Sequence, residues 1–170
     1  MSGPVFIGKP SYGLPWSTLD SIPRFFVSIL SSVARTIAKK ILSMKISTTH
    51  TLGDESLQKA MKAIQVKNYQ SCYDLVLESL DKGVSSKFEP FAINWRGTFR
   101  FLMGDSEGAL TDFESVLSLS PTYTDAIIKK ASLSVERMDM EGTKALFEEA
   151  ERIDSQDPDF YYHRGNFELS

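Results

Sequence analysis

Gly97, Ala131 and Gly165 stand 34 residues apart, and each follows a basic residue: Arg96, Lys130 and Arg164. The same offset pairs Phe113 with Phe147, Val116 with Ala150, Phe101 with Val135, and Asp105 with Asp139. A fixed period constrains the fold more than any composition does. Each unit must be one supersecondary element that buries its apolar face on its neighbours. From Asp54 onward the pattern is helical, so each unit reads as two antiparallel helices. A small residue at Gly97 or Ala131 lets the first helix approach its partner closely, and Phe113 or Phe147 fills the space enclosed. Pro121 cannot continue a helix and ends the second one. Gly104 breaks the chain between the two helices, and Asp105 suits the turn.

A period of 34 carrying a small residue, then an aromatic, then a proline resembles the tetratricopeptide (TPR) repeat. The expected fold is an all-α helix-turn-helix solenoid. One repeat covers about 90–123 and the next about 124–157. A weaker copy covers about 53–86, with Ala60 at the small position, Tyr69 after the turn and Val76 in place of the aromatic. Ala60 lies 37 residues before Gly97, so three residues are inserted around "KGVSSKF". A partial fourth unit, 158–170, places Gly165 at the small position, with five residues after it. The array is therefore expected to be cut from a longer one. About three repeats are needed for a stable array, so self-association or an extended partner is expected at this end.

The rest of the chain differs in kind. Residues 1–53 hold six Lys/Arg and one acid, a net +5, while 54–170 hold 13 basic and 21 acidic residues, a net −8. An acidic body argues against nucleic acid, whose phosphates need a positive footprint. Residues 1–23 are rich in Gly and Pro and read as an irregular tail. In 24–46, Phe26, Leu30, Val33, Ile37, Ile41 and Met44 form one apolar stripe, with Arg35, Lys39, Ser28 and Ser32 off it. This is the pattern of a basic amphipathic helix. Three roles fit it: lying on an anionic membrane surface, docking on the first repeat, or mimicking a mitochondrial transit peptide. Residues 47–53 read as a linker before the array of 54–170. The longest uncharged run in the apolar segment, Phe25 to Ala34, is too short for a membrane span of about 20 residues.

Catalytic chemistry has no visible carrier. The histidines are His50 and His163, and neither is near Cys72, the single cysteine. That rules out an internal disulfide and fits a reducing compartment. No phosphate-binding glycine motif occurs. The reading is a non-enzyme with no metal and no cofactor. Cys72, at the small position of a second helix, reads as core packing. Binding is expected instead on the first helices, which line the concave groove of such an array. On this register the groove receives Asn94, Thr98, Phe101, Asp125, Ile128, Ser132, Asp159, Tyr162 and Asn166. Apolar anchors beside amides and hydroxyls suit an extended or helical peptide. The aspartates would repel an acidic chaperone tail and welcome a basic segment.

Three stretches go beyond a generic repeat: "INWRGTFRFLMGDSEGALTDFESVLSLSP", "AIIKKASL" with "FEEAERIDSQDPDFYYHRG", and "LQKAMKAIQVKNYQSCYDLVLESL". Over about Leu57 to Phe167 the chain resembles the large TPR receptor of the mitochondrial outer-membrane import translocase, in a fungal-like form. The resemblance implies a receptor on the cytosolic face of the outer membrane that takes preproteins from cytosolic chaperones. It implies preproteins and other translocase subunits as partners. Chaperones would bind only through amino-terminal repeats that this stretch does not match. The expected function is thus a preprotein-binding module, a fragment or short isoform of the receptor, recognising targeting segments in its groove. Without an anchor the short chain would be cytosolic. The competing expectation is a generic TPR scaffold or co-chaperone that assembles protein complexes.

Overall fold

The computed structural model describes residues 51–156, 160–161 and 164–165. The irregular tail 1–23, the basic stretch 24–46, and groove candidates Asp159, Tyr162 and Asn166 lie outside the described residues. Six α-helices in antiparallel pairs account for most of the rest: α1 Leu52–Gln65 with α2 Tyr69–Asp81, α3 Glu89–Leu102 with α4 Ser106–Leu119, and α5 Thr124–Glu136 with α6 Met140–Ile153. Each helix packs chiefly on the one before and the one after it in sequence, as a solenoid requires.

The turns inside the three pairs are built alike. Lys67, Gly104 and Met138 hold the same left-handed position, with φ of 57°, 84° and 58°. The next residue caps the second helix each time. Asn68, Asp105 and Asp139 accept a hydrogen bond from the backbone N–H of Ser71, Gly108 and Gly142, respectively. This satisfies one of the donors that a helix start leaves unpaired.

The start of α1 lies inside the stretch that composition reads as linker. Thr51 and Asp54 explain it, because each side chain accepts from the other's backbone N–H in a capping box. Asp54 also accepts from Ser85, at 2.9 Å from its backbone N–H and 3.2 Å from its hydroxyl. Ser85 sits in the connection 82–88, which is longer than the 120–123 connection between α4 and α5. The three residues that lengthen the first period fall there. Pro90 opens α3 at its first turn, where a missing N–H costs nothing.

The core runs in three linked clusters. Leu57, Ala60, Met61, Cys72, Tyr73 and Val76 pack with Phe88, Phe91, Trp95 and Phe99 between the first two pairs. Ile93, Phe101, Ala109, Phe113 and Val116 pack with Ala126 and Leu133. Ile127, Ile128, Ala131, Phe147 and Ala150 pack with Phe160. The central helix α3 is buried on nearly every side, with Arg96, Arg100 and Leu102 among its few partly exposed residues.

Candidate concave binding face

The first helices α1, α3 and α5 form the concave side of such a stack. At its centre lies a polar triad, buried at Asn94 and Lys129 and partly buried at Asp125. Asn94 Nδ2 on α3 donates to Asp125 Oδ2 on α5 at 2.6 Å. Lys129 Nζ, one turn further along α5, donates to the same oxygen at 2.6 Å. Lys129 is only 1% exposed and Asn94 only 2%. A lysine buried this deeply needs its counter-charge, and Asp125 supplies it. The acid four residues before the base is also the favourable order on a helix.

Two buried polar atoms of α3 have no hydrogen-bond partner: Asn94 Oδ1, within this triad, and Trp95 Nε1, whose ring belongs to the core between the first two pairs. One is an acceptor and the other a donor. Buried groups left in this state are uncommon and costly. A polar ligand group reaching Asn94 Oδ1 would gain a bond that the protein does not make for itself.

The other predicted groove residues fall into two kinds. Thr98 and Ser132 donate their hydroxyls back to the carbonyls of Asn94 and Ile128, at 2.8 and 3.1 Å, so their donors are engaged within their own helices. Phe101 and Ile128 belong to the core clusters, 3% and 1% exposed. Their reading as open apolar anchors gives way to inter-helix packing, because neighbouring pairs close over them. Lys129 and Trp95 were not among the sequence candidates. The signal for Lys129 was present in its i,i+4 spacing from Asp125. Trp95 offered none beyond its size.

On the side of α3 that meets α4, Asp112 is 1% exposed at its side chain and is gripped by two arginines. Arg96 donates through Nε at 3.0 Å and through Nη2 at 2.6 Å, and Arg100 through Nη1 at 3.0 Å. The carboxylate raises the pKa of Arg96 further, against the opposing effect of burial. The recurring basic residue before the small position thus has a consistent use. Lys130 reaches Glu114 at 3.1 Å and Arg164 reaches Glu151 at 2.9 Å, each on a second helix. Cys72 is fully buried, and burial pushes its thiol up to about 12, so it stays protonated and packs as a small apolar residue. Among the described residues no group of three His, Cys, Asp or Glu is placed to hold a metal ion. No described helix is long and apolar enough to cross a membrane.

Helix pairs stacked in this way define a TPR solenoid. A solved structure described as the first TPR of Spaghetti (RPAP3) bound to HSP90 peptide SRMEEVD superposes with a TM-score of 0.57 at 14% identity, covering 69% of this chain and 90% of that one. No family model matches the chain. In sequence the chain resembles the mitochondrial import receptor subunit TOM70. It is 26% identical to the Homo sapiens protein over 134 residues, which is 69% of this chain and 22% of the receptor. The rat and mouse receptors align over the same extent at 25% identity. The chain therefore spans about a fifth of the relatives it matches.

Proposed function

We propose that this chain is a peptide-binding TPR module that recognises preprotein targeting segments, acting on the cytosolic face of the mitochondrial outer membrane as part of an import receptor. The similarity to TOM70, whose name describes an import receptor subunit, is the observation that carries this reading. The chemistry of the concave face supports a basic or apolar ligand. Lys129, its one buried cation among the described residues, is already neutralised by Asp125, so no free positive charge remains on this triad to hold an acidic tail. Asn94 Oδ1 offers an acceptor to a peptide backbone N–H.

A second reading has one observation behind it: the RPAP3 neighbour binds an acidic chaperone peptide. One titration separates the two. Fluorescence anisotropy with labelled peptides would compare a basic amphipathic targeting segment, an apolar carrier segment and SRMEEVD. The import reading expects the first two to bind more tightly and the acidic peptide to bind weakly. Tighter binding of SRMEEVD would overturn it in favour of the co-chaperone reading.

A further inference from the structure

Two donors from neighbouring repeats converge on one oxygen. Asp125 Oδ2 lies 2.6 Å from Asn94 Nδ2 of α3 and 2.6 Å from Lys129 Nζ of α5. An amide N–H and an ammonium aimed at one point are what a protein uses to hold a carboxylate. Here the chain supplies that carboxylate itself.

The exposures give the order of the layers. The Lys129 side chain is 1% exposed, whereas that of Asp125 is 17% exposed. The carboxylate is therefore the solvent-facing member and covers the amine. Two other i,i+4 pairs of this chain are built differently. Lys82 with Glu78 and Lys144 with Glu148 leave their lysine side chains 43% and 74% exposed. A lysine is almost never fully buried unless it is paired, so Lys129 keeps its place because Asp125 sits on it. Asp125 is attached one helical turn away, and its effective concentration at that spot far exceeds that of a dissolved acid. An acidic ligand group thus meets a filled site with a like charge at its rim.

We propose that Asp125 is the specificity-determining residue of the concave face: it occupies a carboxylate site formed by Lys129 and Asn94, and so excludes acidic ligands. The second half of this statement rests on the peptide-binding reading above; the first half stands on the geometry alone. Asp125→Ala removes the carboxylate and leaves both donors facing a space of its size, open on the solvent side. A small carboxylate or an acidic side chain of a peptide fits that space. Asp125→Asn keeps the space filled and still offers Lys129 an oxygen.

Two measurements on the full chain test this. Thermal unfolding of wild type, Asp125→Ala, Asp125→Asn and Asp125→Ala/Lys129→Met is followed in sodium acetate and in sodium chloride at equal ionic strength. Acetate in place of chloride is expected to raise the midpoint of Asp125→Ala by about 4 °C more than that of the other three, the shift for a ligand near ten times its Kd. Two of those chains have the site filled and the third lacks the amine. An Asp125→Ala chain that gains no more from acetate than any of the others would overturn the carboxylate site. Asp125→Ser, which leaves Lys129 a hydroxyl acceptor, carries the same test where the alanine chain does not fold; neither chain folding in acetate would overturn the site too. Fluorescence anisotropy then compares wild type with the acetate-responsive variant, using the basic targeting segment and the acidic peptide of the titration above. The variant is expected to bind the acidic peptide about tenfold more tightly than wild type, as for one charge-assisted hydrogen bond gained. Unchanged affinity would overturn the specificity role. Failure of both chains to bind any peptide would sink the peptide-binding reading and the specificity role with it, while the acetate response would still decide the site.

Discussion

Gly97 meets Phe113 so closely that a Cβ built on the glycine would stand 2.8 Å from the ring's Cε1, and 2.9 Å from Asp112 Cβ. In the next repeat Ala131 holds the equivalent place before Phe147, so that pair accommodates the methyl group Gly97 lacks. Gly97→Ala would improve helix propensity by about 1 kcal/mol but force backbone or ring shifts costing about 1–3 kcal/mol. The net expectation is a less stable protein, read as a lower urea midpoint. An unchanged or higher midpoint would show that the ring yields freely.

Asp112 holds Arg96 and Arg100 from a nearly buried position. Asp112→Ala leaves two guanidinium groups without their carboxylate. Because both arginines are about a quarter exposed and can turn to water, the expected loss is about 3 kcal/mol, the low end for breaking a buried pair. Arg100→Ala keeps the bidentate bond from Arg96 and is expected to cost less. Chemical denaturation of the two variants gives the order, and a larger loss for Arg100→Ala would contradict it.

Met138 holds a left-handed backbone at φ 58°, where the second repeat has Gly104. Its side chain is 84% exposed, so little burial is lost with it. Met138→Gly is expected to raise stability by about 1 kcal/mol by relieving the steric cost of that conformation. Asp139→Ala, one residue on, removes the cap of α6 and is expected to lower stability by about 1 kcal/mol. Thermal melts of both variants should shift in opposite directions.

Asp54 is expected to tie the stability of the first repeat to pH. Burial works to raise its pKa, but hydrogen bonds from Ser85 and Thr51 outweigh it and hold the carboxyl below its ordinary value of 3.8. A group depressed in the folded state stabilises the fold above its unfolded pKa. That contribution fades as pH falls through the folded value. Wild type is therefore expected to lose stability faster than Asp54→Asn as pH drops below about 4. The variant should be less stable than wild type at neutral pH. Parallel acid titrations that never converge would rule out this role.

How much of this was legible beforehand varies with the residue. The all-α solenoid was legible because its evidence is periodic: Gly97 and Phe113 recur as Ala131 and Phe147, and period is read along the chain. The capped turns were partly legible, since Asp105 and Asp139 repeat at the same offset, but Asn68 in the weaker copy carried too little pattern to be singled out. The groove was less legible. Asn94 and Asp125 were placed on one face from the helix register, yet their bond to each other, and the claim of Lys129 on the same oxygen, depend on how α5 stacks against α3. Phe101 and Ile128 sat on the same register and went into the core instead.

The physical reason is that sequence spacing determines which residues share a helix face, within about a third of a turn. It does not determine how far each helix is rotated about its axis once a neighbour closes on it. For this chain the sequence by itself determined the repeat, its small and aromatic positions and the stops of its helices, because those follow from local sterics and hydrogen bonding. Only the tertiary structure decided that α3 would be buried nearly all round, that Asp112 would serve two arginines, and that Asn94 Oδ1 and Trp95 Nε1 would be left without partners. Those outcomes are set by inter-helix packing, where a small rotation moves a side chain from a groove into a core.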